Sequence, residues 1–254
     1  MKLTKLMLAT AVAATAITSA PAAAVEVVFA QIGLIGSGTN FRWDRSGTSD
    51  DAVFYTTAGA SSTQAGNTAV LFSLVGAATP LAVVGNMLLS GSTTDDALGV
   101  TTGEFVQNVD SFTFNITATS AFTYNSVSIA AGQSLLQGSV SNARITGNIG
   151  GTTGSLVGST LGGATITYTS PLFTFAPQTN YGFSLGLGGV NAAFASGANN
   201  RALNDFRSTI SGTYQSDPAP TFVAVPEPTT WAMMIVGMGL VGFARRRRST
   251  VVAA

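Results

Sequence analysis

The stretch Ser111-Phe112-Thr113-Phe114-Asn115-Ile116-Thr117-Ala118-Thr119 alternates polar and apolar residues without a break. That period of two puts Phe112, Phe114, Ile116 and Ala118 on one face of an extended chain and the polar residues on the other, the pattern of a half-buried strand. The same alternation returns at Thr165–Thr169, Leu172–Phe175 and Tyr181–Leu187. Asn125-Ser126, Gly150-Gly151, Gly162-Gly163, Ser170-Pro171 and Gly188-Gly189 punctuate the chain as turn signals. Many short strands separated by turns predict a mainly β fold, an antiparallel β-sandwich or jelly roll.

Two regions strain that pattern. Ala69–Leu89 carries no charge and is long enough to be weighed as a membrane span. Ser73, Gly76, Thr79-Pro80 and Gly85-Asn86 divide it, however, into two strand-length pieces around a Gly-Ala-Ala-Thr-Pro turn, so a buried hairpin is expected. Gly147–Gly163 is rich in Gly, Ser and Thr and reads as a long loop inside one domain, because strands resume directly after it.

Residue types that are missing narrow the chemistry. The chain has no histidine and no cysteine, and its only lysines are Lys2 and Lys5. Disulfides, the usual zinc, copper and iron ligands, and Ser-His-Asp or Ser-Lys nucleophilic arrangements are therefore out of reach for residues 25–224. That body holds five arginines (Arg42, Arg45, Arg144, Arg201, Arg207) against ten acids, a formal charge of −5. No basic stripe exists for nucleic acid, and no cofactor is expected.

Asp44, Asp50 and Asp51, with Ser and Thr hydroxyls between them, form an oxygen-only loop of the kind calcium takes. Tyr55 stands where an EF-hand loop needs its final glutamate, so a solvated turn is the preferred reading, as it is for Asp95-Asp96. The polar face of Ser111–Thr119, with Thr165, Thr167 and Thr169, has the composition of an ice-binding array, but no internal period repeats it. Gly33–Gly38 has its glycines in the wrong order for a dinucleotide loop and reads as a turn. Glycoside cleavage needs only two carboxylates, and Trp43, Phe41, Tyr55, Tyr124 and Tyr168 are candidates to stack on sugar rings. Core packing is the expected role for most of these rings.

The two ends read as addresses. Lys2 and Lys5, the apolar run Leu6–Ile17 and the small residues Ala22-Ala23-Ala24 have the three parts of a secretory signal peptide, residues 1–24, with Ala22 and Ala24 at its cleavage site. Its helix would engage the Sec translocon and then signal peptidase, leaving a β-rich extracytoplasmic domain at 25–224. At the other end, Pro226-Glu227-Pro228 precede Trp231-Ala232, an uncharged run to Ala244 and the cluster Arg245-Arg246-Arg247-Arg248. As a helix, 231–244 would span roughly 21 Å, short against a bilayer core of about 30 Å. The arginines should stay on the cytoplasmic side and leave the body across the membrane. An ordinary C-terminal membrane anchor is the plain reading of such a tail.

In their order and spacing, residues 225–250 resemble the PEP-CTERM sorting signal in its PEPxxWA form, also known as an ice-binding protein C-terminal domain. The resemblance implies that an exosortase, a membrane-embedded cysteine transpeptidase, recognises Pro226, Glu227 and Pro228 together with Trp231 and Ala232. The helix would be removed and the body passed to the cell surface or extracellular matrix of a Gram-negative bacterium. It points to a non-enzymatic surface or biofilm protein associated with exopolysaccharide. Carbohydrate-binding or glycoside-cleaving activity is the alternative, and ice binding or adhesion a minor one.

Overall fold

A computed structural model describes residues 26–36, 38–45, 51–99, 103–177, 179–196, 202–222 and 232–241. Strands β1 (Val27–Leu34) and β2 (Phe41–Arg45) are followed by β3 (Ala52–Thr56), β4 (Thr68–Leu74), β5 (Ala82–Thr93) and β6 (Ala97–Leu98). Next come β7 (Glu104–Ala118), β8 (Phe122–Tyr124), β9 (Val127–Ile129) and β10 (Ser134–Asn148). The last are β11 (Gly154–Ser159), β12 (Thr165–Thr169), β13 (Phe173–Thr174), β14 (Asn180–Asn191), β15 (Phe206–Asp217) and β16 (Thr221–Phe222), with a short helix, α1, at 232–241.

Several of these strands are halves of one longer path. β1 pairs with β15 at residues 216–212 and β2 with β15 at 208–206, so the two run end to end along one edge. In the same way β3 and β4 follow β5, β5 and β6 follow β7, and β11 and β12 follow β10. Counted as paths, the order is β1/β2, β3/β4, β5/β6, β7, β10, β11/β12, β14 and β15. Each pairs antiparallel with the next, and β15 returns to the first. This is the connectivity of an eight-stranded up-and-down barrel.

The antiparallel, mainly β character agrees with the alternation. The sandwich or jelly-roll expectation does not hold, because no Greek-key crossing occurs among the described strands and the first path pairs with the last. Alternation reports which residues face inward; it carries no information on which strand lies beside which.

Eight strands enclose a space that side chains can fill, and here they fill it. Phe112 of β7 meets Phe183 of β14 at 5.3 Å and Phe114 stacks on Tyr214 of β15 at 4.9 Å, both contacts crossing the interior. Trp43 stacks on Phe54 and Phe206 at 5.6 and 5.9 Å. Where β1 begins, Phe29, Phe173, Phe175, Tyr124 and Phe222 close the barrel, using the small β13–β16 sheet as a cover. Phe194 seals the other end against Phe105 and Phe206. Apolar residues fill the inside and polar ones make up most of the outside, with Val53, Leu71, Val84 and Leu88 as exposed exceptions; a membrane-spanning barrel has an apolar lipid face and a polar lumen.

Where a path breaks, a polar side chain replaces the missing ladder bonds. Asn40, in the gap between β1 and β2, donates through Nδ2 to Thr68 Oγ1 (2.9 Å) and accepts from Ile210 N–H (3.1 Å). Thr56, at the gap between β3 and β4, accepts from Leu89 N–H and donates to Met87 O. Gln107 covers the gap after β5, donating to Asp95 O and accepting from Leu203 N–H. Thr160, between β11 and β12, accepts from Tyr181 N–H. Buried backbone groups are almost always paired, so interrupted strands survive in a closed barrel only with such substitutes.

Ala69–Leu89 forms the expected hairpin, β4 with β5, though only one of its faces is buried. Gly147–Gly163 is not a long loop. Its glycines permit strand β11 to pass under aromatic rings: a Cβ on Gly154 would lie 2.9 Å from the Phe194 ring, and one on Gly158 would lie 2.6 Å from Phe183. Gly188-Gly189 is a bulge inside β14 rather than a turn, with Gly189 at φ 56°. Asn125 and Ser126, both with positive φ, make the predicted two-residue turn between β8 and β9. At Leu172–Phe175 the alternation fails, since Leu172 and Phe173 are both buried.

Candidate functional site

The outer wall over β3, β5, β7, β10 and β12 is built almost wholly of hydroxyls and amides. Register aligns Tyr55, Ser90, Thr113, Ser139 and Thr167 in one row across five strands. A second row holds Leu88, Asn115, Gln137 and Thr169. The sequence suggested that Thr165, Thr167 and Thr169 accompany the Ser111–Thr119 face, and they do so through β10, where Ser139 and Thr167 hydroxyls meet at 2.7 Å. The part of β10 that joins them was missed because Gln137-Gly138-Ser139-Val140-Ser141 has a glycine where an apolar residue would mark the inward face. Gly138 is there because Phe114 lies beneath it, 2.8 Å from where a Cβ would stand.

None of the five rings proposed to stack on sugars is available. Trp43, Phe41, Tyr55, Tyr124 and Tyr168 are between 0% and 9% exposed. Trp43 donates from Nε1 to Leu203 O, Tyr124 to Thr79 O and Tyr168 to Gly182 O, so each polar tip is consumed in closing the barrel. Tyr55 is covered by the 57–66 loop and donates to Thr63 O.

Four of the carboxylates are likewise engaged within the protein. Asp44 pairs with Arg42 at 3.1 Å, Asp205 accepts from Arg45 N–H, Asp110 accepts the amide and hydroxyl of Thr94, and Glu26 accepts the Ser159 hydroxyl. Of the calcium candidates, Asp44 therefore faces a guanidinium, Asp51 is exposed, and Asp50 lies outside the described residues. Among the described residues no three acids gather into a metal-binding group.

Burial pushes the phenols of Tyr168 and Tyr214 well above the ordinary tyrosine range, Tyr168 further through its closeness to Tyr214, Glu26 and Tyr181. Above pH ~10 the unfolded chain ionises these phenols while the barrel keeps them protonated. The unfolded state then binds fewer protons, so stability falls with rising pH, by about 1.4 kcal/mol per unit for each tyrosine. Below that pH both states hold the protons and this contribution is constant. Burial raises Tyr55, Tyr124 and Tyr181 as well, so urea unfolding midpoints are expected to drop steadily above pH ~10 and Tyr214→Phe to make the slope shallower by its own share; an unchanged slope would acquit Tyr214.

The sorting tail reaches the described residues only at its helix. Ala232 opens α1, whose described residues are all exposed, among them Met233, Ile235, Met238 and Leu240. At ~1.5 Å per residue the described segment is about 15 Å long, and no helix among the described residues is long and apolar enough to cross a membrane. Of the expected transmembrane helix at 231–244, residues 232–241 are described and are helical, and 231 and 242–244 lie outside the described residues. Pro226, Glu227, Pro228, Trp231 and Arg245 to Arg248 lie outside the described residues, as do Ala22, Ala24 and the signal helix. Residues 224–248 match a family described as the PEP-CTERM protein-sorting motif.

The chain carries a PEP-CTERM sorting motif.

The PEP-CTERM match begins two residues before Pro226 and ends at the last arginine, so it takes in every residue singled out at that end of the sequence. It implies export and processing as an exosortase substrate. No curated protein and no solved structure matches the chain, and the barrel is unassigned.

Proposed function

We propose that this protein is a non-enzymatic component of the bacterial surface or extracellular matrix. It is exported through the Sec translocon, trimmed by signal peptidase, held briefly in the inner membrane by its C-terminal helix and released by an exosortase into the exopolysaccharide or biofilm layer of a Gram-negative cell. The observation that carries this reading is the PEP-CTERM motif at 224–248. Two features of the barrel support it. Val27 pairs with Ser216 and β16 covers the same end, so the first and last strands of the described barrel meet at one end. The interior is packed with aromatic rings, and several carboxylates are already committed to loops, which suits a scaffold better than an enzyme.

Mass spectrometry of the surface or medium fraction is expected to find a body that ends near Pro226. An intact arginine tail in that fraction would sink the processing step. Glu227→Ala should trap the uncut chain in the membrane fraction while leaving the melting temperature of the barrel unchanged, since Glu227 lies beyond the last strand.

A further inference from the structure

Hollows open at several places on the outside of the barrel, one of about 630 Å³ beside Leu98, Glu104 and Asn148. The barrel interior is filled, and closure of the sheet removes the open edges on which another strand would pair. The outer wall remains. Two adjoining hollows of about 380 and 350 Å³ lie on it and share Ser90 and Thr113. The loop residue Ala65 stands at one side and Thr167 and Thr169 of β12 at the other. No charged residue occurs in 82–93, 111–118, 134–141 or 165–169, the strand segments that carry this wall.

Some of the polar groups here are open for use. Ser90, Thr113 and Gln137 have no side-chain hydrogen bond among the described residues, and the Ser139 and Thr167 hydroxyls bond each other. Leu88 and Val53, 41% and 48% exposed, place apolar contact surface between the hydroxyls. Neutral sugar rings present the same mixture: hydroxyls at the rim and C–H groups on the faces. Five strands at ~4.8 Å spacing give a track of about 19 Å, enough for several sugar residues of one chain.

We propose that this wall, centred on Ser90, Thr113, Ser139 and Thr167, binds a neutral polysaccharide chain. The proposal deepens the matrix reading above and rests on it. A charged polymer would find no counter-charge in these segments. A second copy of the chain would gain little, because a hydroxyl-rich face offers small apolar area to bury. A planar ice lattice fits poorly as well: twist of ~20–25° between neighbouring strands accumulates to roughly 60–75° across four, which a flexible chain can follow and a crystal face cannot.

Native gel electrophoresis of the full chain in a polyoxyethylene detergent tests this, with dextran, laminarin or hydroxyethyl cellulose cast into the gel and alginate as the acidic comparison. Retardation by at least one neutral polymer is expected, with Thr113→Lys and Ser139→Glu each weakening it at least tenfold. Both side chains point outward, and thermal melts of the variants should match the parent. Ser211→Lys, on the exposed face of β15 outside this wall, should leave retardation intact. Failure with every neutral polymer, retardation by alginate alone, or full retention in both wall variants would overturn the site. Absence of the protein from the matrix fraction of intact cells, with retardation preserved in the gel, would instead overturn the matrix reading and leave the site standing.

Discussion

Trp43→Ala is expected to destabilise the barrel by about 3–5 kcal/mol through lost packing and by about 1–3 kcal/mol more through the carbonyl it strands. The indole has no exposure, lies nearly parallel to Phe54 and Phe206 at 12° and 10°, and donates to Leu203 O at 2.9 Å. That last bond reaches from β2 to the segment just before β15. Its loss therefore loosens the same end that Phe194 seals. Against a total stability of about 5–15 kcal/mol, the variant should lose its cooperative thermal transition or melt many degrees early. Trp43→Phe separates the two contributions, because a smaller ring keeps much of the stacking and leaves only Leu203 O without its donor. If both variants melt like the parent, the indole is not central to the core.

Much of this architecture can be read from alternation, and the part that cannot has a physical reason. Phe112, Phe114 and Ile116 point inward as their spacing predicts, and Thr165–Thr169 repeats the pattern with Ile166 and Tyr168 buried. The breaks were invisible. Gly33–Gly38 reads as a turn, but Gly33 and Leu34 still belong to β1 and the chain resumes in β2 along the same edge of β15 rather than reversing, a choice made by long-range pairing. β11 was hidden for a related reason: Gly154 and Gly158 lack side chains because Phe194 and Phe183 occupy that space, so the strand forms with Leu156 as its single buried side chain and shows no alternation. At the candidate sites the split is sharp. The sorting motif is a linear signal and is complete in the sequence. The hydroxyl wall is not, since Ser90, Thr113, Ser139 and Thr167 come from four strands and only register brings them together.

The gap-filling polar side chains are the second place where sequence and structure part, and Asn40 shows what they are worth. Position 210 of β15 falls between the ladder of β2, which ends at Ser208, and that of β1, which begins at Gly212. Its amide would have no partner there, and the Asn40 side chain supplies one while donating to Thr68 on the neighbouring path. Asn40 is 4% exposed, so water cannot readily take over either bond. Asn40→Ala leaves two buried polar groups unpaired, at about 1–3 kcal/mol each, and a loss of roughly 2–6 kcal/mol is expected in denaturant titrations. The damage should be local first: hydrogen exchange at Ile210 N–H should accelerate far more than at Phe114 in the intact β7–β10 ladder. Thr68→Val removes one of the two bonds and should cost about 1–3 kcal/mol. Because the two residues share a bond, the double variant should cost less than the sum of the single ones by about 0.5–3 kcal/mol. Strict additivity would mean that the Asn40–Thr68 bond does not hold the seam, and that closure between β15 and the broken first path depends on the flanking ladders alone.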